Sequence, residues 1–125
     1  NTHRKEHLLR ASLEGIAFAF VYGLEILKQD GLALATIKAG NDNLFQAKIF
    51  SNTIATLTDL SIKIIETTGS VGAARAAAVA FGDFATLYEA SAADGLSTLC
   101  EPLDNQQEYS DAYERWKQDL NEYII

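Results

Sequence analysis

The sequence lacks methionine altogether and has one cysteine, one proline and one tryptophan among its 125 residues. A single cysteine, Cys100, excludes an internal disulfide, and the first ten residues lack the apolar core of a secretory signal. We therefore expect a cytoplasmic protein. Because the chain starts at Asn1 and enters an amphipathic pattern almost at once, we also expect that an upstream segment precedes it.

Basic residues are scarce, since ten Lys and Arg stand against seventeen Asp and Glu, for a formal net charge of -7. This charge disfavours nonspecific binding to nucleic acid phosphates or to an anionic membrane surface. No run reaches the roughly 20 apolar residues of a membrane span, because Arg75 interrupts the longest nearly uncharged stretch. We expect a small molecule or another protein as partner, and neither nucleic acid nor a membrane; a homodimer stays open.

What is present is typical of one globular domain, with 48% hydrophobic and 22% charged residues. Two apolar stripes at helical spacing predict a first helix that ends near Gly31 and a terminal helix with an aromatic packing face. The first stripe comprises Leu9, Leu13, Ile16, Phe20, Leu24 and Leu27, and the second comprises Tyr109, Tyr113, Trp116, Leu120 and Tyr123.

Between these helices, two short apolar segments predict strands, "LALATIKAG", which ends near Lys38, and "LSIKIIE". A helix starting at an Asn/Asp cluster separates them, and a further helix follows with Thr67 and Thr68 as cap candidates. This order predicts parallel strands joined by a right-handed crossover, and two strands are too few for a stable sheet. The region after Gly82 is interpreted as a connection with a short helical piece and a break at Gly95.

Two junctions between a strand and a helix are candidate ligand sites, because ligands collect beyond the carboxyl ends of parallel strands. In "AGNDN", Gly40 allows close approach to the backbone, and Asn41 and Asn43 suit a purine edge or a ribose hydroxyl. The alternative is that these residues only cap the helix. In "TTGSVG", a phosphate or sugar site at the helix start is suggested by Thr67, Thr68, Gly69 and Ser70, and Gly72 allows a helix or a ligand to come close. The alternative is close helix packing, since the spacing of Gly69 and Gly72 matches no full dinucleotide motif.

Other side chains offer little chemistry. His3 and His7 are four residues apart, but no cluster of Cys, Asp or Glu at ligand spacing completes a metal site around them. Cys100 has no base predicted beside it. We therefore predict neither a metal site nor a catalytic residue in this segment.

Four blocks, "HLLRASLEGIAFAF", "KAGNDNLFQAKIFSN", "ETTGSVGAARAAAVAFG" and "YERWK", together resemble the closing portion of the FGGY family of carbohydrate kinases. They are most similar to its xylulose kinases, and glycerol, ribulose and gluconate kinases share the same frame. The resemblance implies an α/β fold, part of a ribonuclease H-like (actin-like ATPase) domain, helix-rich with about two parallel strands. Residues 1–125 would form the C-terminal part of the second, nucleotide-binding domain, with the upstream domain absent.

The resemblance also implies the site and the chemistry. The adenosine-binding turn falls on Gly40, Asn41 and Asn43, with Asp42 and Gln46 as neighbours, and a close-packing turn beside the nucleotide falls on Gly69 and Gly72. The full-length enzyme would transfer phosphate from ATP, with Mg²⁺, to a sugar or polyol. Because its catalytic aspartate lies in the absent domain, this chain alone would be inactive. Two alternatives stay open: a stand-alone acidic interaction module that binds a protein, and an inactive relative that senses nucleotide.

Overall fold

The computed structural model describes residues 2–92 and 95–123. Helices and strands alternate as the apolar patterns predict from the start of the chain to Phe81. The elements are α1 (Lys5–Gln29), β1 (Ile37–Gly40), a 3₁₀ helix (Leu44–Gln46), α2 (Lys48–Thr58), β2 (Ile62–Ile65), α3 (Gly69–Phe81), α4 (Leu87–Ala90), β3 (Leu96–Cys100) and α5 (Gln106–Tyr123). The fold is therefore the helix-rich α/β arrangement that we expected.

The three strands form one mixed sheet in the order β1, β2, β3. The parallel pair is confirmed, with Lys38 of β1 opposite Lys63 of β2. The interpretation of the region after Gly82 as a connection is wrong in one respect, because it contains β3, which pairs antiparallel to β2 with Cys100 opposite Ile62. Five residues with two hydroxyl side chains carry little strand signal of their own, and pairing with β2 decides their conformation.

The boundaries of β1 and α1 follow local rules. β1 is shorter than the predicted strand because its pairing with β2 begins only at Ile37. The first helix ends next to Gly31, as predicted. Gly31 adopts a left-handed φ of 93°, and the preceding Asp30 donates its backbone N–H to the carbonyl oxygen of Ile26 at 3.1 Å.

The core lies between the sheet and helices α1, α2 and α5. Its most buried members are Ala17, Phe18, Val21, Phe50, Ile54, Ala55, Ile62, Ile64, Cys100 and Tyr113. The aromatic stripe of α5 is a packing face in its middle, where the ring centroid of the buried Tyr113 lies 5.6 Å from that of Phe18 on α1, and it is exposed at Tyr123. Packing of the terminal helix against the core is thereby confirmed.

The predicted stripe of α1 faces this core only in part, at Phe20, whose ring centroid lies 6.2 Å from that of the core residue Phe50. Ala17 and Val21 are buried, whereas Ile16 is 49% exposed and Leu27 is 46% exposed. The core therefore meets a side of α1 that is rotated away from the line of largest side chains. Helical spacing marks which residues share a side, but the neighbouring elements decide which side they cover.

Candidate functional site

The turns that follow β1 and β2 meet at the predicted edge of the sheet. A Cβ atom placed on Gly40 would lie 2.6 Å from the carbonyl oxygen of Thr67 and 3.1 Å from Oδ1 of Asp42. A Cβ atom cannot lie 2.6 Å from a carbonyl oxygen, so only glycine allows the backbones of the two turns to come this close at position 40. The two candidate junctions are thus neighbours in space, as parallel strands require.

The side chain of Asn43 caps a helix, which is the alternative to a ligand contact. Its side-chain Oδ1 accepts a hydrogen bond from the backbone N–H of Phe45 at 3.0 Å, at the start of the 3₁₀ helix. This bond satisfies one of the unpaired donors at a helix start. Asn43 therefore caps the 3₁₀ helix and not α2, which begins later, at Lys48, after Ala47 and without a side-chain cap. A nucleotide contact by Asn43 stays a prediction.

A cavity of about 550 Å³ opens beside this turn, between α2 and β3. Its volume lies within the range of small-molecule sites. The cavity is lined by Asn41, Phe45, Gln46, Lys48, Ser51, Asn52, Ile64, Thr98, Leu99, Cys100, Glu101 and Leu103. Asn41 and Gln46, two of the predicted nucleotide contacts, share this cavity, whereas Gly40, Asp42 and Asn43 lie outside its lining.

The lining combines an aromatic ring with amides and charges. The Phe45 ring is held by edge contacts with Phe50 and Phe20, whose centroids lie 5.1 Å and 5.7 Å away. A fixed ring of this kind offers a stacking surface for a planar ligand. The sequence missed Phe45 and Lys48 as site residues, because β3, which supplies the opposite wall, was not predicted.

The second turn is held by its own hydrogen bonds. Thr68 caps α3, since its Oγ1 accepts from the backbone N–H of Val71 at 3.3 Å, and its hydroxyl lies 2.8 Å from that of Ser70. Nη1 of Arg75 donates to Oγ1 of Thr67 at 3.4 Å. The predicted cap at Thr68 is confirmed, and Arg75 braces the turn that contacts Gly40.

Gly69 and Gly72 do not pack closely within this chain. A Cβ atom on either glycine would meet no atom within 4 Å, and α3 contains no buried residue. The reason is that, of the helices described, α4 provides the main contact of α3. A role of these glycines beside a nucleotide stays a prediction.

The described residues include neither a cluster of metal ligands nor a membrane-spanning helix. No group of three His, Cys, Asp or Glu side chains in residues 2–92 and 95–123 is placed to hold a metal ion. The rings of His3 and His7 approach to 6.2 Å, and Nδ1 of His7 accepts from the backbone N–H of Arg4. Within the same ranges, no helix combines the length and apolar character needed to cross a bilayer.

The chain is similar to two carbohydrate kinases. It is 34% identical over 126 residues to a glycerol kinase from Alkaliphilus oremlandii (strain OhILAs). The matched region covers 94% of this chain and 24% of that protein. Its structure matches that of xylulose kinase from Rhodospirillum rubrum with a TM-score of 0.78 and 23% identity, over 96% of this chain and 25% of the other. No family model matches the sequence. The chain thus spans about a quarter of the length of these relatives, and the predicted ribonuclease H-like fold is confirmed.

Proposed function

Since the chain is related to the FGGY-type carbohydrate kinases, we propose that it is the C-terminal segment of an ATP-dependent sugar kinase and forms part of its nucleotide site. The observation that carries this proposal is the cavity of about 550 Å³ that places Asn41 and Gln46 beside the carboxyl end of β1. Ligands of open parallel sheets collect at this position. The likeness to glycerol kinase over 94% of the chain supports a kinase over a stand-alone interaction module.

In this proposal the adenosine of ATP occupies the cavity. The face of Phe45 stacks on the base, and the amides of Asn41 and Gln46 hydrogen-bond to its polar edge or to the ribose. Lys48 adds one positive charge and Glu101 one negative charge to the lining, so the proposal depends on the Phe45 ring and the two amides and not on the charge of the cavity. Gly40 and Asp42 shape the turn next to the cavity, and Asn43 fixes the 3₁₀ helix that presents Phe45 and Gln46.

The remaining parts of the reaction lie outside this chain. Transfer of the γ-phosphoryl group of ATP to a sugar hydroxyl depends on positioning, on Mg²⁺ at the phosphates and on a carboxylate that accepts the hydroxyl proton. We place the carboxylate and most of the sugar site in the upstream part of a longer, cytoplasmic polypeptide. The isolated chain therefore binds no sugar productively and is inactive.

The test of the nucleotide site uses the full-length kinase. Asn41→Leu and Gln46→Leu each remove about one hydrogen bond of about 0.5–1.5 kcal/mol, so each should raise the KM for ATP by about twofold to twelvefold and leave the KM for sugar unchanged. Asn121→Leu is the matched control, because it makes the same chemical change on an exposed part of α5. Unchanged ATP parameters in both site variants would overturn the proposed site.

Two substrates are favoured by different observations. The motifs of the chain favour xylulose, and the 34% identical relative is a glycerol kinase. Because fold does not determine substrate, the full-length protein should be assayed against a panel of ketoses and polyols that includes both, and we expect the highest kcat/KM with xylulose. The 125-residue chain is assayed in parallel, and sugar phosphorylation above a control without protein would refute the fragment interpretation.

A further inference from the structure

A second cavity lies on the side of the sheet that faces away from the core. Its volume is about 560 Å³, and its walls come from β1, β2 and the segment around α4. We name it the lysine cavity, and its main lining residues are Lys38, Lys63, Ile65, Leu87, Tyr88 and Ser91. Among the described residues, it shares no lining residue with the cavity beside Asn41. The two cavities are therefore separate candidate sites.

The register of the strands places two lysines side by side in this cavity. Lys38 of β1 lies directly opposite Lys63 of β2 in the parallel pair. The next residues along the strands, Ala39 and Ile64, belong to the core, and successive strand residues point to opposite faces of a sheet. Both lysines therefore project from the other face. Like charges directly opposite each other destabilise a sheet, and an anion bound by both ammonium groups would offset this repulsion.

The lysine pair is not neutralised by a carboxylate of the described chain. Within residues 2–92 and 95–123, neither Lys38 nor Lys63 forms an ion pair. Glu89 lies beside the cavity on α4, but its Oε2 accepts from the backbone N–H of Ala85 at 2.9 Å. The described lining thus has two positive charges and no negative one, in a chain whose net charge is -7. Such a local concentration of positive charge attracts anions.

We propose that the lysine cavity binds a small phosphate monoester. Near neutral pH a phosphate monoester carries close to two negative charges, which the ammonium groups of Lys38 and Lys63 balance. Lysine is a common phosphate ligand in proteins. The hydroxyl groups of Tyr88 and Ser91 line the same cavity and can donate hydrogen bonds to phosphate oxygens. This inference does not rest on kinase activity, since all the residues that it uses lie within the described chain.

The size and the apolar part of the lining favour an ester over free phosphate. A volume of about 560 Å³ is typical of sites for small organic molecules. Ile65, Leu87 and the ring of Tyr88 supply apolar surface, from which a phosphate ion gains nothing. An organic group attached to the phosphate covers this surface and removes it from water.

The test measures ligand binding to the 125-residue chain by isothermal titration calorimetry. The probes are phenyl phosphate and inorganic phosphate, and we expect the ester to bind at least about fivefold more tightly because its ring contacts the apolar walls. Lys38→Gln and Lys63→Gln should each weaken binding of phenyl phosphate by about fivefold or more, since each removes one of the two charges. Lys5→Gln is the matched control, because Lys5 is an exposed residue of α1 outside the cavity lining.

A second measurement shows whether the lysine variants are folded. Lys38→Gln removes the repulsion between the two strands, so without ligand it should unfold in urea no more easily than the unsubstituted chain. If the isolated chain does not fold, the same comparisons are made in the full-length protein.

Each outcome decides the proposal. Weaker binding in both cavity variants and unchanged binding in Lys5→Gln would uphold it. Equal affinities for the ester and for inorganic phosphate would overturn the assignment to an ester, and no binding of either probe up to about 10 mM would overturn the site. An equal loss in Lys5→Gln would show a general effect of charge and refute the site as well.

Asn41→Leu separates this proposal from the nucleotide site. Asn41 lines the other cavity, so its substitution should leave the affinity for phenyl phosphate unchanged, and a loss would place the probe in the wrong cavity and refute the proposal. Because these titrations contain no ATP, the lysine cavity can be upheld while the proposed nucleotide site is rejected, or the reverse.

Discussion

Gly40, at the end of β1, touches Thr67, just beyond the end of β2, so closely that a Cβ atom on Gly40 would lie 2.6 Å from the Thr67 carbonyl oxygen. The two turns that border the candidate site are therefore in direct backbone contact. The bond from Nη1 of Arg75 to Oγ1 of Thr67 steadies the same place from α3. The geometry of the site thus depends on a residue without a side chain.

Gly40→Ala should destabilise the chain by about 1–3 kcal/mol, because the backbone of one turn must move to admit the new methyl group. The free energy of unfolding in urea measures the effect. Gly72→Ala is the matched control: its Cβ meets open space inside α3, so alanine should stabilise the helix by up to about 1 kcal/mol. Equal effects of the two substitutions would contradict the role given to the Thr67 contact.

The same control variant tests the predicted packing beside the nucleotide. In the proposed full-length kinase, Gly72→Ala should destabilise the protein or weaken ATP binding if another part of the polypeptide approaches this glycine closely. A gain in stability in both the isolated chain and the full-length protein would show that no such approach occurs.

The sequence predicts the elements whose signals are local. Gly31 and Thr68 mark helix ends by their own conformational and hydrogen-bonding preferences, and the structure confirms both. Parallel pairing followed from the order of elements, so the meeting of the two turns at one edge was also predictable. The contact between Gly40 and Thr67 was not predictable, because glycine permits many conformations and the sequence does not indicate which residue lies beside it.

What the sequence missed depends on distant neighbours. β3 is stabilised by its pairing with β2, and its own five residues do not specify a strand. The cavity was missed with it, since Thr98 and Cys100 form part of the lining. For α1, spacing correctly grouped Ile16 with Phe20, but the core covers Ala17 fully and meets this line only at Phe20, which contacts Phe50. Which side of an all-apolar helix is buried depends on how much of the protein surrounds it.

Asn43 allows its two roles to be separated. Asn43→Leu removes the acceptor for the Phe45 N–H and should cost about 0.5–2 kcal/mol of stability, whereas Asn43→Asp keeps an acceptor oxygen and should cost little. If the amide nitrogen also contacts the nucleotide, Asn43→Asp should weaken ATP binding to the proposed full-length kinase without loss of stability. Calorimetric titration with ATP and urea unfolding measure the two effects. Loss of ATP affinity only in Asn43→Leu would assign Asn43 to capping alone.

Thr56 connects α2 to the segment after β3. Its Oγ1 accepts from the backbone N–H of Leu103 at 3.0 Å, and Thr56 is fully buried. Thr56→Val keeps the shape of the side chain but leaves that N–H without its partner, so unfolding should become easier by about 1–3 kcal/mol.

Thr53 on the same helix is the control for this substitution. It is equally buried, and its hydroxyl donates to the carbonyl oxygen of Ile49 at 2.7 Å. That carbonyl keeps its helical hydrogen bond when the hydroxyl is lost, so Thr53→Val should cost less than about 1 kcal/mol. Equal losses measured by urea unfolding would refute a linking role for the Thr56 hydroxyl.

Tyr113 should make stability depend on alkaline pH. Its ring is 3% exposed, and its hydroxyl is buried with no hydrogen-bond partner among residues 2–92 and 95–123. Burial, and secondly the negative charge of Glu25, raises the pKa of Tyr113 above its ordinary value near 10. The folded state therefore holds the proton more tightly than the unfolded state. Stability is unaffected below about pH 10 and falls as the pH rises above it.

Tyr113→Phe removes both the unpaired hydroxyl and its ionisation. We expect stability at neutral pH to stay the same or to rise by up to about 1 kcal/mol, and the decline above about pH 10 to become shallower. Thermal unfolding across the alkaline range measures both effects, with Tyr88→Phe as the control, because Tyr88 is 83% exposed. If Tyr113→Phe and the unsubstituted chain lose stability at the same rate with rising pH, groups other than Tyr113 cause the alkaline transition.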